Sequence, residues 1–227
     1  MARETFEKQI RQIQDEILLL GSMVEQATLD SVSTFKNRDV QAAKTIVEDD
    51  QNINDKRYAI ENAILILFAT QQPLAHDLRA LSAMLLVTNE LERMGDYAKG
   101  IANNTIRMSN PDIPIPIRDI EKMAELAVSM LHRSLTAFIN EDIEQAVSIP
   151  KEDNQVDDLF NKCYRMIVNS MIANPTLIDD SSMLLWVVHN LERLADRVVN
   201  ICERTIFIKS GELLEIDSSD DEQDELF

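Results

Sequence analysis

The sequence predicts an all-α protein made of two tandem repeats, each a three-helix bundle, with six long helices in all. The composition supports the class, because 45% of the 227 residues are hydrophobic while only 5% are aromatic, and the chain has four glycines and six prolines. Such a chain is rich in helix formers and poor in strand-forming and turn-forming residues. The duplication supports the architecture, since residues 31–55 align without a gap on residues 134–158.

The two copies share residue identities as well as a pattern. Further along the chain Pro73 matches Pro175 and Glu92 matches Glu192, with a small shift of register that we assign to a connecting loop, where deletions are tolerated. The identical pairs of the ungapped segment are Ser31/Ser134, Phe35/Phe138, Asn37/Asn140, Asp39/Asp142, Ala43/Ala146, Ile46/Ile149, Asp50/Asp153 and Asp55/Asp158.

Apolar residues at three- and four-residue steps predict the helices. In the third helix Leu81, Met84 and Leu91 belong to such a series, and Leu184 and Leu191 belong to the matching series of the sixth. This spacing is typical of the seam of an antiparallel helix bundle. We expect helices near residues 3–37, 39–70, 76–108, 117–140, 142–173 and 176–208.

Capping residues and prolines indicate where helices begin and end. Asp39 and Asp142 can cap the second and fifth helices, and Pro73 and Pro175 stand where a helix must stop. Pro150 lies inside the fifth helix, where it removes a backbone donor. It therefore predicts a kink, or a break into a short helix before Lys151.

Prolines and charge also divide the chain. Residues 109–116, "SNPDIPIP", contain three prolines and predict a semi-rigid linker between a first bundle, residues 1–108, and a second bundle, residues 117–209. Residues 210–227 include eight acids and no base, a composition that predicts a disordered tail.

The charge and the apolar runs argue against several classes of function. A net charge of −18 without a basic patch argues against nucleic acid as a partner. The apolar runs are far shorter than the roughly 20 residues of a membrane span. The N-terminal residues carry no apolar core of a secretory signal, so we expect a cytoplasmic protein. Cys163 and Cys202 stand opposite Ile60 and Ala102, which predicts reduced thiols in the core.

A repeated motif, Leu-Glu-Arg-x-x-Asp, supplies the candidate metal ligands. Glu92 and Asp96 share one helix face, and Glu192 and Asp196 share the matching face of the second copy. The preceding long helix of each copy also carries acids, which are Asp50 in the first copy and Asp153 and Asp157 in the second. Carboxylates from two helices that converge need a cation or raised pKa values, and oxygen ligands suit Mg, Ca, Mn or Fe. The alternative is a solvated face on which Arg93 and Arg193 pair with the aspartates three residues on.

These residues resemble the PhoU family of phosphate-signalling regulators. The resemblance covers residues 1 to about 210 and is carried by residues 71–106, "QQPLAHDLRALSAMLLVTNELERMGDYAKGIANNTI", and 189–206, "HNLERLADRVVNICERTI". It implies a non-enzymatic negative regulator of phosphate uptake and of the phosphate-starvation response. The implied partners are the ATPase subunit of a phosphate ABC transporter and a sensor histidine kinase, and the resemblance also allows a homodimer.

The resemblance assigns roles to the acids as well. Glu92, Asp96, Glu192 and Asp196 would be ligands of multinuclear metal clusters, of iron or zinc in some members, with other divalent ions as alternatives. Asp50, Asp153 and Asp157 match the family's second-helix acids. Asn54 stands where the second copy has Asp157, which predicts a weaker ligand set in the first copy.

Two other classes of protein remain open. A ferritin-like carboxylate metal enzyme would need Glu-x-x-His on two helices, whereas the chain offers His189-x-x-Glu192 once and in reverse order. His76, His132 and His189 have no matching histidines in the other copy, so we expect surface or helix-end residues. A metal-free acidic adaptor that docks basic partners is the second alternative.

Overall fold

The computed structural model describes residues 2–108 and 113–216, and within these ranges it is helical without strands. The linker residues 109–112 and the tail residues 217–227 lie outside the described ranges, while residues 113–116 are not helical. The helices are α1 Ala2–Asn37, α2 Val40–Gln71, α3 His76–Arg107, α4 Ile117–Asn140, α5 Ile143–Ser148, α6 Asp153–Ala173 and α7 Ile178–Ser210, with 3-10 turns at Ile149–Glu152 and Pro175–Leu177.

Matching turns join the first two helices of each repeat. Arg38 and Glu141 both adopt the left-handed conformation, with φ of 53° and 52°. The next residue then caps the following helix. The Asp39 carboxylate accepts from the backbone N–H groups of Gln41 and Ala42 at 3.1 and 2.9 Å, and Asp142 accepts from that of Gln145 at 3.1 Å. Both predicted N-caps are confirmed.

The predicted fifth helix, residues 142–173, is interrupted. α5 ends at Ser148, a 3-10 turn spans Ile149–Glu152, and α6 begins at Asp153. Pro150 is the cause, because proline has no N–H to donate and its ring collides with the carbonyl four residues earlier in an α-helix. The break that Pro150 predicts is confirmed. The matching helix of the first repeat, α2, has Val47 at this position and runs unbroken.

The two repeats pack side by side. α1, α2 and α3 pack together, as do α4, α6 and α7, while α3 lies along α7 and α1 lies along α4 across the boundary. The buried apolar side chains of both repeats form one continuous cluster, which includes the matching pair Phe35 and Phe138. Each repeat therefore buries part of its surface against the other.

The two cysteines lie in this core as free thiols. Burial raises the pKa of Cys163 to about 11 and that of Cys202 to about 12. Thiols that stay protonated at neutral pH are poor nucleophiles and poor metal ligands. The prediction of reduced core thiols is confirmed.

None of the described helices is both long enough and apolar enough to cross a membrane.

Candidate functional site

The acids of the first repeat lie on facing sides of α2 and α3. Asp50 on α2 is 5% exposed, and Asp96 on α3 is about half exposed at 53%. Burial and the neighbouring Asp50 carboxylate raise the pKa of Asp96. Burial also raises the pKa of Glu92, an effect that Arg57 opposes. α2 and α3 therefore bring the three carboxylates close enough together for their charges to interact.

A lysine of the same repeat lies between two of these carboxylates. The Lys99 ammonium donates to Asp50 at 2.7 Å and lies 3.9 Å from Asp96. The Asn54 amide donates to Asp50 at 3.0 Å. The hydrogen bond to Asp50 raises the pKa of Lys99, so the ammonium stays charged at neutral pH and neutralises the buried carboxylate.

An arginine holds the remaining acid of the first site. The Arg57 guanidinium lies 3.5 Å from Glu92 and 3.6 Å from Glu61, and it stacks over the Tyr58 ring at 4.5 Å. Arg57 is 17% exposed and Glu92 is 18% exposed. The first site is thus an ion-pair network, and a metal ion would have to displace Lys99 or Arg57 to gain its ligands.

The second repeat has different residues at both of these positions. Val199 stands where the first repeat has Lys99, and Phe160 stands where it has Arg57. Next to Val199 lies a cavity of about 440 Å³ that is also lined by Lys151, Asp153, Asp157 and the segment that follows α7. Asp153 is 3% exposed. The first repeat has a cavity of about 420 Å³ at the matching acid, where Lys99 is part of the lining. The two repeats therefore differ in the lysine beside the cavity, which is Lys99 in the first and Lys151 in the second.

The segment that follows α7 is fixed by a buried acid. Glu203 on α7 accepts from the backbone N–H of Ile216 at 2.9 Å. Ile216 also packs against the core. Through this bond the chain folds back beside the cavity, and Leu214, Glu215 and Ile216 form one of its sides.

The third-helix acids of the second repeat lie beside residues from both repeats. Glu192 lies 3.2 Å from Nδ1 of His189. Arg193, which the sequence offered as a partner of Asp196, donates to the Tyr97 hydroxyl of the first repeat at 3.2 Å. This hydrogen bond raises the pKa of Arg193, and the nearby Asp196 and Glu192 carboxylates also raise it. The histidine thus lies next to a predicted ligand rather than apart from the site.

The other two histidines bridge the repeats. His76 contacts Glu141 at 2.9 Å, and His132 contacts Glu25 at 3.2 Å, in both cases across the boundary between repeats. Their side chains are 48% and 70% exposed. The expectation that these two are surface or helix-end residues is confirmed.

Across residues 2–108 and 113–216, no three His, Cys, Asp or Glu side chains lie close enough together to hold a metal ion as they stand. Metal binding by Glu92, Asp96, Glu192, Asp196, Asp50, Asp153 and Asp157 therefore requires side chains to reorient, and it stays a prediction. The sequence reasoning missed Lys99 and Arg57. The spacing of Lys99 three residues after Asp96 was a usable signal, whereas nothing in the local sequence of Arg57 pointed to Glu92.

The fold and the two acidic sites define an internally duplicated, all-helical protein that presents carboxylates at matching positions of both repeats. A family model described as the PhoU domain matches residues 17–105 and again residues 120–205. The chain belongs to the PhoU family, as the resemblance predicted.

Known relatives and solved structures match over nearly the whole chain. The PhoU homolog of Clostridium acetobutylicum, named a phosphate-specific transport system accessory protein, is 30% identical, with 95% of this chain and 99% of that protein aligned. The PhoU of Escherichia coli strain K12, which has the same accessory-protein name, is 31% identical over 91% and 86%. The crystal structure of PhoU from Streptococcus pneumoniae, called a phosphate transport system regulatory protein, superposes with a TM-score of 0.86 at 28% identity and covers 93% of this chain and all of that one.

Proposed function

We propose that this protein is a cytoplasmic accessory regulator of a phosphate-specific transporter, one that restrains phosphate uptake and the phosphate-starvation response. The observation that carries the proposal is the end-to-end match to relatives named accessory proteins of that transport system. Their names describe accessory and regulatory proteins, which favours signalling by contact over catalysis. The partners we propose are the ATPase subunit of the transporter and a sensor histidine kinase.

A gene deletion tests this role. In phosphate-rich medium we expect the deletion strain to take up more radiolabelled phosphate than the parent and to express a phosphate-starvation reporter. The intact gene supplied on a plasmid should reverse both effects. Uptake and reporter expression at the parental level in the deletion strain would contradict the proposal.

We further propose that carboxylate-bound metal belongs to this function, with the second repeat as the stronger site. Asp153 and Asp157 border a cavity together with Lys151 and with Val199, which stands at the sequence position of Lys99. Oxygen donors of this kind suit hard divalent ions and iron. Glu192 and Asp196 complete the proposed ligand set on α7. A bound metal would supply positive charge that fixes the relative positions of α6 and α7. In the first repeat, Asp50, Glu92 and Asp96 would bind metal more weakly, because Lys99 and Arg57 compete for them.

Elemental analysis separates the two sites. Protein purified without chelator is compared with the pair variants Glu192→Ala/Asp196→Ala and Glu92→Ala/Asp96→Ala. We expect most of the metal to disappear in the first variant and little in the second, whereas Lys99→Met should raise metal content above wild type. An equal loss in both pair variants would contradict the asymmetry. A wild type that stays free of metal after incubation with iron, zinc, manganese or magnesium would contradict metal binding and favour the acidic adaptor.

A further inference from the structure

An aromatic groove lies on the surface of the second repeat. Phe160 and Tyr164 on α6 face Trp186 and His189 on α7 around a cavity of about 390 Å³. The ring centroids of Phe160 and Tyr164 are 6.1 Å apart, and those of Trp186 and His189 are 5.7 Å apart in an edge-on arrangement. Trp186 is 59% exposed and Tyr164 is 47% exposed, so large aromatic surfaces face solvent here.

The first repeat has an ion pair on the matching face. Arg57 occupies the position of Phe160, and Glu61 occupies that of Tyr164. The Arg57 guanidinium reaches both Glu61 and Glu92, at 3.6 and 3.5 Å. In the first repeat, therefore, the chain itself supplies the arginine that pairs with the third-helix glutamate.

The second repeat keeps the glutamate and replaces the arginine by the groove. Glu192, which matches Glu92, is 15% exposed and has the imidazole of His189 as a neighbour at 3.2 Å. His189 in turn lies 6.4 Å from the Phe160 ring, centroid to centroid, so it connects the groove to the carboxylate. An acid next to an aromatic groove suits a guanidinium, because the planar cation stacks on ring faces and binds carboxylates through its N–H groups.

We propose that this groove, defined by Phe160, Tyr164, Trp186 and His189, receives an arginine side chain from a partner protein. The guanidinium stacks against the aromatic rings and pairs with Glu192, as Arg57 pairs with Glu92 inside the first repeat. The net charge of −18 favours a basic partner surface and speeds its association. The proposal concerns the metal-free protein, because a metal ion bound by Glu192 would keep the guanidinium from that carboxylate.

The groove contains its own reporter, because Trp186 is the single tryptophan of the chain. Chelator-treated protein is titrated with a short alanine peptide that carries one arginine, while tryptophan emission is recorded. Peptides in which lysine or citrulline replaces the arginine serve as probes of charge and of shape. We expect a saturable emission change with the arginine peptide, at millimolar or lower dissociation constant, and binding at least about tenfold weaker for the other two, or roughly 1.4 kcal/mol.

Two variants test the groove itself. Glu192→Gln leaves the rings in place and should weaken arginine-peptide binding about tenfold or more. Phe160→Arg supplies an arginine from within the chain, as the first repeat does, and should abolish the titration while Glu192 remains. Asp158→Asn, at an exposed acid of the same helix, should bind the arginine peptide as wild type does.

Other outcomes of these titrations would contradict an arginine site. No saturable change with the arginine peptide, or equal binding of the lysine or citrulline peptide, would overturn the proposal. Unchanged binding by Glu192→Gln would do the same. A dimeric wild type that becomes monomeric in Phe160→Arg, together with no response to the peptide, would identify a second copy of this chain as the occupant instead.

Discussion

The Asp50 carboxylate is 5% exposed and receives hydrogen bonds from Lys99 and Asn54. The lysine distinguishes the two acidic sites, because the second repeat has Val199 at the position of Lys99. A buried carboxylate that loses its cation bears the full cost of desolvation. The stability of the first site therefore depends on one side chain that the repeat motif does not include.

Removal of Lys99 should destabilise the fold. In the presence of chelator we expect Lys99→Met to lower the free energy of unfolding by about 1–3 kcal/mol, because it leaves the Asp50 charge without its ammonium donor. Urea denaturation measures the change. Lys44→Met, at an exposed lysine of α2, should change stability by less than about 0.5 kcal/mol. A Lys99→Met protein as stable as that control would show that the ion pair contributes nothing.

The buried Glu203 should make stability depend on pH. Burial raises the pKa of Glu203, while the N–H of Ile216 lowers it by less. A carboxyl whose pKa is higher in the folded than in the unfolded state lowers the free energy of unfolding as the pH rises. The loss begins near the pKa of the unfolded state, about 4.3, and is complete above the pKa of the folded state.

We therefore expect Glu203→Gln, which keeps an acceptor for Ile216, to stabilise the protein at pH 7.5. The gain should disappear as the pH falls to about 4, where the unfolded glutamate also becomes protonated. Urea denaturation at a series of pH values gives the profile. Glu212→Gln, at an exposed acid just after α7, controls for the loss of one negative charge. A gain that does not vary with pH would contradict this account of Glu203.

At the scale of helices, the two repeats build the same contact from different side chains. A Cβ atom added to Gly95 on α3 would lie 3.1 Å from Ile53 on α2. The second repeat has Ala195 and Val156 at these positions. Glycine with isoleucine and alanine with valine have the same total number of side-chain carbon atoms, so the exchange conserves side-chain volume at these two positions.

These two positions should therefore be coupled. Gly95→Ala gains about 1 kcal/mol of helix propensity but overpacks against Ile53 at a cost of about 1–3 kcal/mol. Ile53→Val alone should cost about 0.5–1.5 kcal/mol. We expect the double variant to be more stable than the sum of the single effects predicts, by about 0.5 kcal/mol or more. The reverse cycle, Ala195→Gly with Val156→Ile, is the matched control in the second repeat, and strictly additive effects would contradict the coupling.

Helix positions and breaks were largely predictable from the sequence. The N-caps Asp39 and Asp142, the stops before Pro73 and Pro175 and the break at Pro150 all follow from local chemistry that acts within one or two turns. The residues that surround the proposed metal ligands were less predictable from the sequence. The contact between Arg57 and Glu92 joins two helices, so it depends on how those helices rotate and pack, which no local signal specifies.

At the scale of the whole molecule, the repeats share one core. α3 lies along α7, and both Arg193 and Arg197 donate to the Tyr97 hydroxyl across the boundary, at 3.2 and 3.3 Å. Arg197 also lies 3.5 Å from Glu90 of the first repeat. A continuous core with polar contacts of this kind favours cooperative unfolding of both repeats.

We expect a single unfolding transition in urea. Trp186 emission reports the second repeat, whereas helical circular dichroism reports both, and the two midpoints should coincide. Tyr97→Phe removes the shared acceptor and should lower both midpoints together, by about 1 kcal/mol of stability. Separate transitions for the two probes would contradict the shared core.

The sequence by itself determined the helical class, the duplication, the interruption at Pro150 and the family, because periodicity, capping and repeated motifs act through local chemistry that can be read along the chain. Only the tertiary structure decided that Lys99 and Arg57 pair with the acids of the first site, and that an aromatic groove stands at the matching place of Arg57 in the second. These features arise where side chains of different helices meet. The pairing of such side chains depends on how the helices pack, and two repeats with the same motif can therefore place different residues around it.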